Sequence, residues 1–328
     1  MSTPTLSTPL VSFTVTAYNT EAYISECLDS IFAQQGEYNY EVIVVDDAST
    51  DGTEAVVRTY SDPCLRYIRH SSNQGAFATV NRGFQEARGK FVARIDSDDR
   101  YRPDFLLTVV PILERYAEVG LVYGDIALIN SAGDITSPSN NVNRHNLPPM
   151  GNELIPLLET NYLPAPTTIA RREAWATGLP VPRGLDFCDW YLSTTIAKTW
   201  NFYYCSQVLA DYRMHSQNHH VAVVLDKSGE RVIRQVLDQV FSEPERKDEK
   251  QKAKARIYSK NYITLADKYF GHSMLADARR CYLLAIGYRP LLLLRLDILR
   301  RIFGTLLGME KYEKFKLLVK SGHWSLNS

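Results

Sequence analysis

The chain has 328 residues, 45% hydrophobic and 23% charged, and its 37 Lys+Arg balance 37 Asp+Glu. This is ordinary globular composition, long enough for two domains or for one large domain with an accessory region. Zero net charge excludes the basic surface that general nucleic-acid binding requires. Five scattered cysteines without a CxxC pair read as reduced thiols of a cytosolic protein. Residues 1–9 are rich in Ser, Thr and Pro and lack the basic and apolar parts of a signal peptide. No run approaches the roughly 20 apolar residues of a membrane span.

Val11–Thr16 is predicted as the first strand, closing on Ala17-Tyr18-Asn19. Ile24, Cys27, Leu28, Ile31 and Phe32 recur at helical spacing and predict a helix over 21–35. Glu41–Val45 is a continuous apolar run, as in a strand covered on both faces. It ends in Asp46-Asp47-Ala48-Ser49-Thr50-Asp51-Gly52-Thr53, and a helix to about Tyr60 follows. Asp46 and Asp47 read either as site carboxylates or as caps of that helix. Leu65–Arg69 is a third strand. Asn73-Gln74-Gly75 opens a helix with Val80, Phe84 and Ala87, stopped by Gly89. Phe91–Ile95 is the fourth strand and runs into Asp96-Ser97-Asp98-Asp99.

Strands alternating with helices imply a mostly parallel, doubly wound sheet, and ligands of such sheets bind beyond the carboxyl ends of strands. Three polar clusters sit at such ends: 16–19, 46–51 and 96–99. Alternate residues of a strand point the same way, so Asp96 and Asp98 form a pair of hard oxygen ligands suited to Mg²⁺ or Mn²⁺ carrying phosphates. A solvated acidic turn is the plain alternative, above all for Asp99. No GxGxxG follows the first strand. Gly83 and Gly89-Lys90 are spaced one residue too far for a P-loop, and Phe91 stands where Ser or Thr would hold the metal. Without a glycine cradle, a metal must hold the phosphates.

Val122–Asp125 is predicted as a further strand. Asn130–Pro149 is polar and proline-bearing and reads as a loop over the site. Asp186 and Asp189 precede a helix over Trp190–Lys198 and can cap it. From about Val221 the composition changes. Glu243–Arg256 is a mixed charge run, a solvated helix or linker. The pattern Tyr262, Leu265, Ala266, Tyr269, then Ala278, Tyr282, Ala285, Pro290 resembles one tetratricopeptide repeat over about 259–292. Residues 291–307 are apolar with Arg295, Arg300 and Arg301. They form either a cap on the helix pair or a basic amphipathic helix on an anionic membrane.

The ordered motifs Val15-Thr16-Ala17-Tyr18-Asn19, Val44–Thr53, Asn73-Gln74-Gly75 and Ile95-Asp96-Ser97-Asp98-Asp99 resemble the inverting family 2 glycosyltransferases of GT-A fold, over roughly residues 9–220. The resemblance implies a sugar transferred from a nucleotide diphosphate sugar, with UDP favoured, to a carbohydrate or lipid-linked acceptor. Cell-surface polysaccharide or glycan synthesis is the implied setting. It places Thr16, Tyr18, Asn19, Asp47 and Asp96 on the nucleotide. Asp98 becomes the direct ligand of Mn²⁺ or Mg²⁺, shared with Asp96. Gly184–Leu192 resembles the family's Glu/Asp-Asp-Trp segment and makes Asp189 the base, with Cys188 in place of the usual first acid and Trp190 against the acceptor. Asp186 competes for the base. Tyr212-Arg213-Met214-His215 resembles the closing Tyr-Arg-x-His motif, with Arg213 on the phosphates and His215 on the metal or diphosphate. His219 and His220 read as loop residues. The expected location is cytoplasmic, with peripheral contact at the inner face of the membrane through the C-terminal helices. The rival readings are a sugar-nucleotide pyrophosphorylase, whose glycine- and basic-rich phosphate loop is missing from 17–23, and a non-catalytic scaffold using its helical region.

Overall fold

The structure is a computed structural model of the chain and describes residues 8–140, 148–185, 188–215 and 225–308, with 311, 312 and 314. The chain separates into two compact units, residues 1–157 with 161–218, and residues 158–160 with 219–328.

The first unit opens with β1 (Val11–Ala17), α1 (Ile24–Phe32), β2 (Tyr40–Asp46), α2 (Thr53–Val57), β3 (Leu65–Arg69), α3 (Ala76–Glu86) and β4 (Phe91–Asp96). It continues with β5 (Arg100–Tyr101), α4 (Phe105–Arg115), β6 (Val119–Ile129), β7 (Ile135–Asn140), β8 (Met150–Gly151), α5 (Leu154–Glu159), β9 (Ile169–Arg171), α6 (Arg172–Ala176), α7 (Cys188–Ile196) and β10 (Asn201–Arg213). The sheet order is β3-β2-β1-β4-β9-β6-β10-β5, with β7 on β6 and β8 on β10. The four strands from β3 to β4 are mutually parallel, as the alternating pattern predicts. Beyond β4 the sheet becomes mixed, because β9 runs antiparallel to both β4 and β6. Part of the segment read as a loop over the site is strand β7, paired with β6. Its Thr and Ser residues carry no apolar alternation that would have marked it.

The β1 side chains Val11, Phe13 and Val15 are fully buried, and Phe13 packs against Tyr101 and Phe105. The opposite face of β1 is buried too. There Ser12 donates to Glu41 Oε1 at 2.7 Å, so a polar residue sits in the sheet with its partner supplied.

The second unit contains α8 (Ser228–Ser242), α9 (Lys247–Gly271), α10 (Leu275–Tyr288), a 3₁₀ turn (Pro290–Leu294) and α11 (Leu296–Leu307). Tyr262, Leu265, Ala266 and Tyr269 on α9 and Ala278, Tyr282 and Ala285 on α10 are all buried, so the repeat-like positions form the core of this helix pair. Most of the charge run 243–256 is the first half of α9. Glu159, at the end of α5 and counted with this unit, accepts from Arg256 and Lys260. Among the described residues no helix is long and apolar enough to cross a membrane. The five cysteines are free.

Candidate active site

The strand order places β1 between β2 and β4, so the three polar clusters lie side by side at one end of the parallel strands. In register, Thr16 stands opposite Asp96. The Thr16 hydroxyl donates to Asp96 Oδ1 at 2.5 Å, and Arg94 Nη2 reaches the same oxygen at 2.5 Å. Arg94 is buried on β4, two residues before Asp96 and hence on the same face. Burial disfavours its charge, but the neighbouring Asp96 and Asp189 carboxylates outweigh this and hold its pKa above the ordinary value. Sequence reasoning passed over Arg94. An arginine within an apolar strand was the available signal, since a buried cation requires an anion beside it.

The loop after β4 is steered by the next strand. β5 begins directly after Asp99 and pairs with Ala210–Asp211 of β10. This brings Asp98 beside the end of β10, where His215 Nε2 lies 3.0 Å from Asp98 Oδ2. The His215 ring stacks on Tyr23, with centroids 5.3 Å apart. Burial and the neighbouring Asp96 charge push the Asp98 pKa up, against the hydrogen bond from His215. Asp99 is 2% exposed rather than a solvated turn. Its Oδ1 accepts the Arg213 backbone N–H at 2.9 Å, and burial followed by the Asp98 and Asp96 charges raises its pKa strongly.

Arg213, expected on the phosphates, is completely buried and works as a clamp. Its guanidinium donates to the carbonyls of Asp98, Asn130 and Ser131 and to Glu26 Oε2, and it lies 4.8 Å from the Tyr23 ring centroid. It therefore shapes the loop carrying Asp98. Trp190, expected against the acceptor, is 2% exposed and donates its indole N–H to the Leu157 carbonyl at 2.7 Å. It belongs to the core.

On the β2 side, Asp46 is buried and accepts from Ser49 N, Ser49 Oγ and Tyr67 Oη. The helix-start role falls to Asp51, which accepts from Thr53 N and Oγ1. Asp47 accepts from the backbone N–H of Gln74 and Gly75 at 2.9 and 2.7 Å, and His70 Nδ1 lies 2.8 Å from its Oδ1. A carboxylate has about four acceptor positions, so one remains after these three contacts. Gly75 has φ +89°, which favours glycine at this turn into α3. Asn19, also left-handed at φ +52°, bonds Ser49 and Thr50 and ties the first cluster to the second. Tyr18 is 48% exposed, its ring open to solvent beside these loops.

Asp189 lies in the first turn of α7, half-buried, with Asn161 Nδ2 donating to its Oδ2 at 3.1 Å. Its neighbour Cys188 is buried, and burial pushes its thiol up to about 12. Asp186, His219 and His220 lie outside the described residues. Asp125, on the strand predicted over Val122–Asp125, is buried and accepts from Tyr204 Oη at 2.8 Å.

Among the described residues no three His, Cys, Asp or Glu side chains gather into a ready-made metal site. Asp98 and His215 are a pair, whereas Asp96 gives one oxygen to Thr16 and Arg94. A carboxylate and an imidazole side by side fit a divalent cation such as Mn²⁺, with its remaining positions left to substrate oxygens and water.

Residues 12–176, half of the chain, match the profile described as Glycosyl transferase family 2. The succinoglycan biosynthesis protein ExoO of Rhizobium meliloti is 42% identical over 102 residues, 31% of this chain. The match spans only 29% of that relative's length. Among solved structures, Staphylococcus aureus TarS 1–349 in complex with UDP-GlcNAc superposes with TM-score 0.63 at 18% identity, covering 96% of this chain and 93% of that one. The mannosyltransferase PcManGT of Pyrobaculum calidifontis, in complex with GDP-Man and Mn²⁺, gives TM-score 0.58 at 18% identity, covering 91% and 84%. Both share the fold.

Proposed function

The chain belongs to glycosyl transferase family 2, and on that premise we propose that it moves one sugar from a nucleotide diphosphate sugar to a carbohydrate or lipid-linked acceptor, with inversion. The observation that carries this reading is the meeting of Thr16–Asp96 and Asp98–His215 at the carboxyl end of the parallel strands. Asp96, held by Thr16 and Arg94, keeps a second oxygen for the ribose. Tyr18 stacks on the base, and Asp47 offers its remaining acceptor position to a base N–H. Uridine is the first choice, supported by the UDP-GlcNAc complex of TarS. Asp98 and His215 would hold a divalent cation, which would supply charge neutralisation as the leaving diphosphate departs, and the Mn²⁺ of PcManGT supports its use. Asp189 accepts the proton of the acceptor hydroxyl as that oxygen attacks the anomeric carbon and the bond to the diphosphate breaks. The name of ExoO, a succinoglycan biosynthesis protein, supports a place in polysaccharide synthesis.

Release of nucleoside diphosphate from a panel of donors with Mn²⁺ tests the reading. One donor is expected to be consumed, Asp98→Asn to lose about 10²–10³-fold in turnover, and Asp189→Asn to retain donor binding while losing transfer. No release from any donor would favour a scaffold role for the chain.

A further inference from the structure

Leu296, Leu299, Phe303 and Leu306 recur on one face of α11, yet each is between 39% and 67% exposed. The other face of the helix is already used, with Ile298, Gly304 and Thr305 buried. The 3₁₀ turn just before it exposes Leu291, Leu293 and Leu294, the last at 79%. An apolar stripe of this extent facing water marks an interaction surface. At about 3.6 residues per turn, Arg295 and Arg300 fall on either side of the stripe, and both are exposed, Arg295 in a solvent-facing pair with Asp297.

We propose that α11 and the preceding turn lie in the plane of an anionic lipid surface, with the leucines and Phe303 entering the acyl boundary and the arginines meeting headgroup phosphates. Charge selects this occupant. Residues 275–308 hold six arginines against two aspartates, and although Arg280, Arg295 and Arg301 pair with Glu230, Asp297 and Asp267, the segment keeps a cationic excess on a chain of zero net charge. A second copy seated on the same face would set arginine against arginine across a two-fold axis. The chain's own residues 309–328 are no better matched, with four lysines and two glutamates. An anionic bilayer satisfies both the apolar stripe and its cationic borders. The inference does not rest on the chemistry assigned to Asp98 or Asp189.

The full chain is to be sedimented with vesicles of phosphatidylcholine alone and of phosphatidylcholine with phosphatidylglycerol at about 3:1. Binding is expected to the anionic vesicles only and to weaken with added salt. The double variant Phe303→Ser/Leu306→Ser is expected to lose about tenfold or more in partitioning while keeping native melting and donor hydrolysis in solution, since both side chains are exposed. No sedimentation with anionic vesicles, equal binding to neutral ones, or unchanged binding by the double variant would overturn the proposal. A native oligomer in solution that the same substitutions dissolve would also overturn it and identify a second copy as the occupant.

Discussion

Asp98 is a carboxylate crowded by Asp96 and removed from most of the solvent, so its charged form is stabilised by a cation or by His215. His215→Ala is therefore expected to raise the Mn²⁺ concentration required for half-maximal turnover by about 10–100-fold while leaving maximal turnover within reach at high metal. A metal titration of turnover checks this. Trp190 yields the opposite kind of expectation. Trp190→Phe removes a buried hydrogen bond to Leu157, so stability should fall by about 1–2 kcal/mol in urea titration with acceptor KM unchanged. A raised KM at native stability would return Trp190 to the acceptor wall. Thr16, Asp96, Asp98 and His215 were legible because each sits in a short motif at a strand end. Tyr23 and His70 were not, because their partners His215 and Asp47 lie far off in the chain, whereas Arg94 beside Asp96 carried a local signal that was passed over. Tyr23 meets His215 across nearly two hundred residues, and no local pattern encodes that contact.

At the scale of elements, the parallel half of the sheet is fastened at the end opposite the site by Glu41 on β2. Its carboxylate accepts from Ser12, from the Arg88 backbone N–H and from the Arg88 guanidinium. Burial alone would raise its pKa, but the hydrogen bonds from Arg88 and Ser12 outweigh that and hold it below the ordinary carboxylate range. A depressed native pKa contributes stability above the ordinary value, and that contribution is lost as pH falls through the native one. Glu41→Gln should thus cost about 1–2 kcal/mol at pH 7, since solvent around Arg88 screens the pair. It should also flatten the acid limb of stability, and melting from pH 7 to pH 3 reads both. A variant as steep as the native chain in that range would remove Glu41 from the account. The strands of this half were legible as short β-branched or apolar runs alternating with helices. The mixed half was legible only in part: the predicted strand Val122–Asp125 falls within β6, but the other strands escaped. β9 has three residues and β5 and β8 have two each, too few for any period, and β7 is polar. The polar clusters converge because β1 lies between β2 and β4, an arrangement that pairing, and not periodicity, decides.

The chain folds as two units of different character. The first gathers carboxylates at a strand end, and the second is a helical unit whose last helix is cationic and apolar-faced. Overall neutrality conceals this division, because the arginine excess of 275–308 is balanced elsewhere. The helix pair was legible from its repeat-like spacing. The exposure of the α11 stripe was not, because an apolar face reads the same in sequence whether it is covered or bare. The central claim concerns the first unit: nucleotide diphosphate and divalent cation bind together through Asp98. Linkage makes this measurable without knowing the acceptor. A ligand at a hundredfold its Kd stabilises the native state by about 2.7 kcal/mol, a shift of a few degrees in Tm. Melting of the full chain with UDP, GDP or other nucleoside diphosphates, with and without Mn²⁺, should show a rise for one base only, requiring the metal and lost in Asp98→Asn. An equal rise without Mn²⁺, or an undiminished one in Asp98→Asn, would contradict the account.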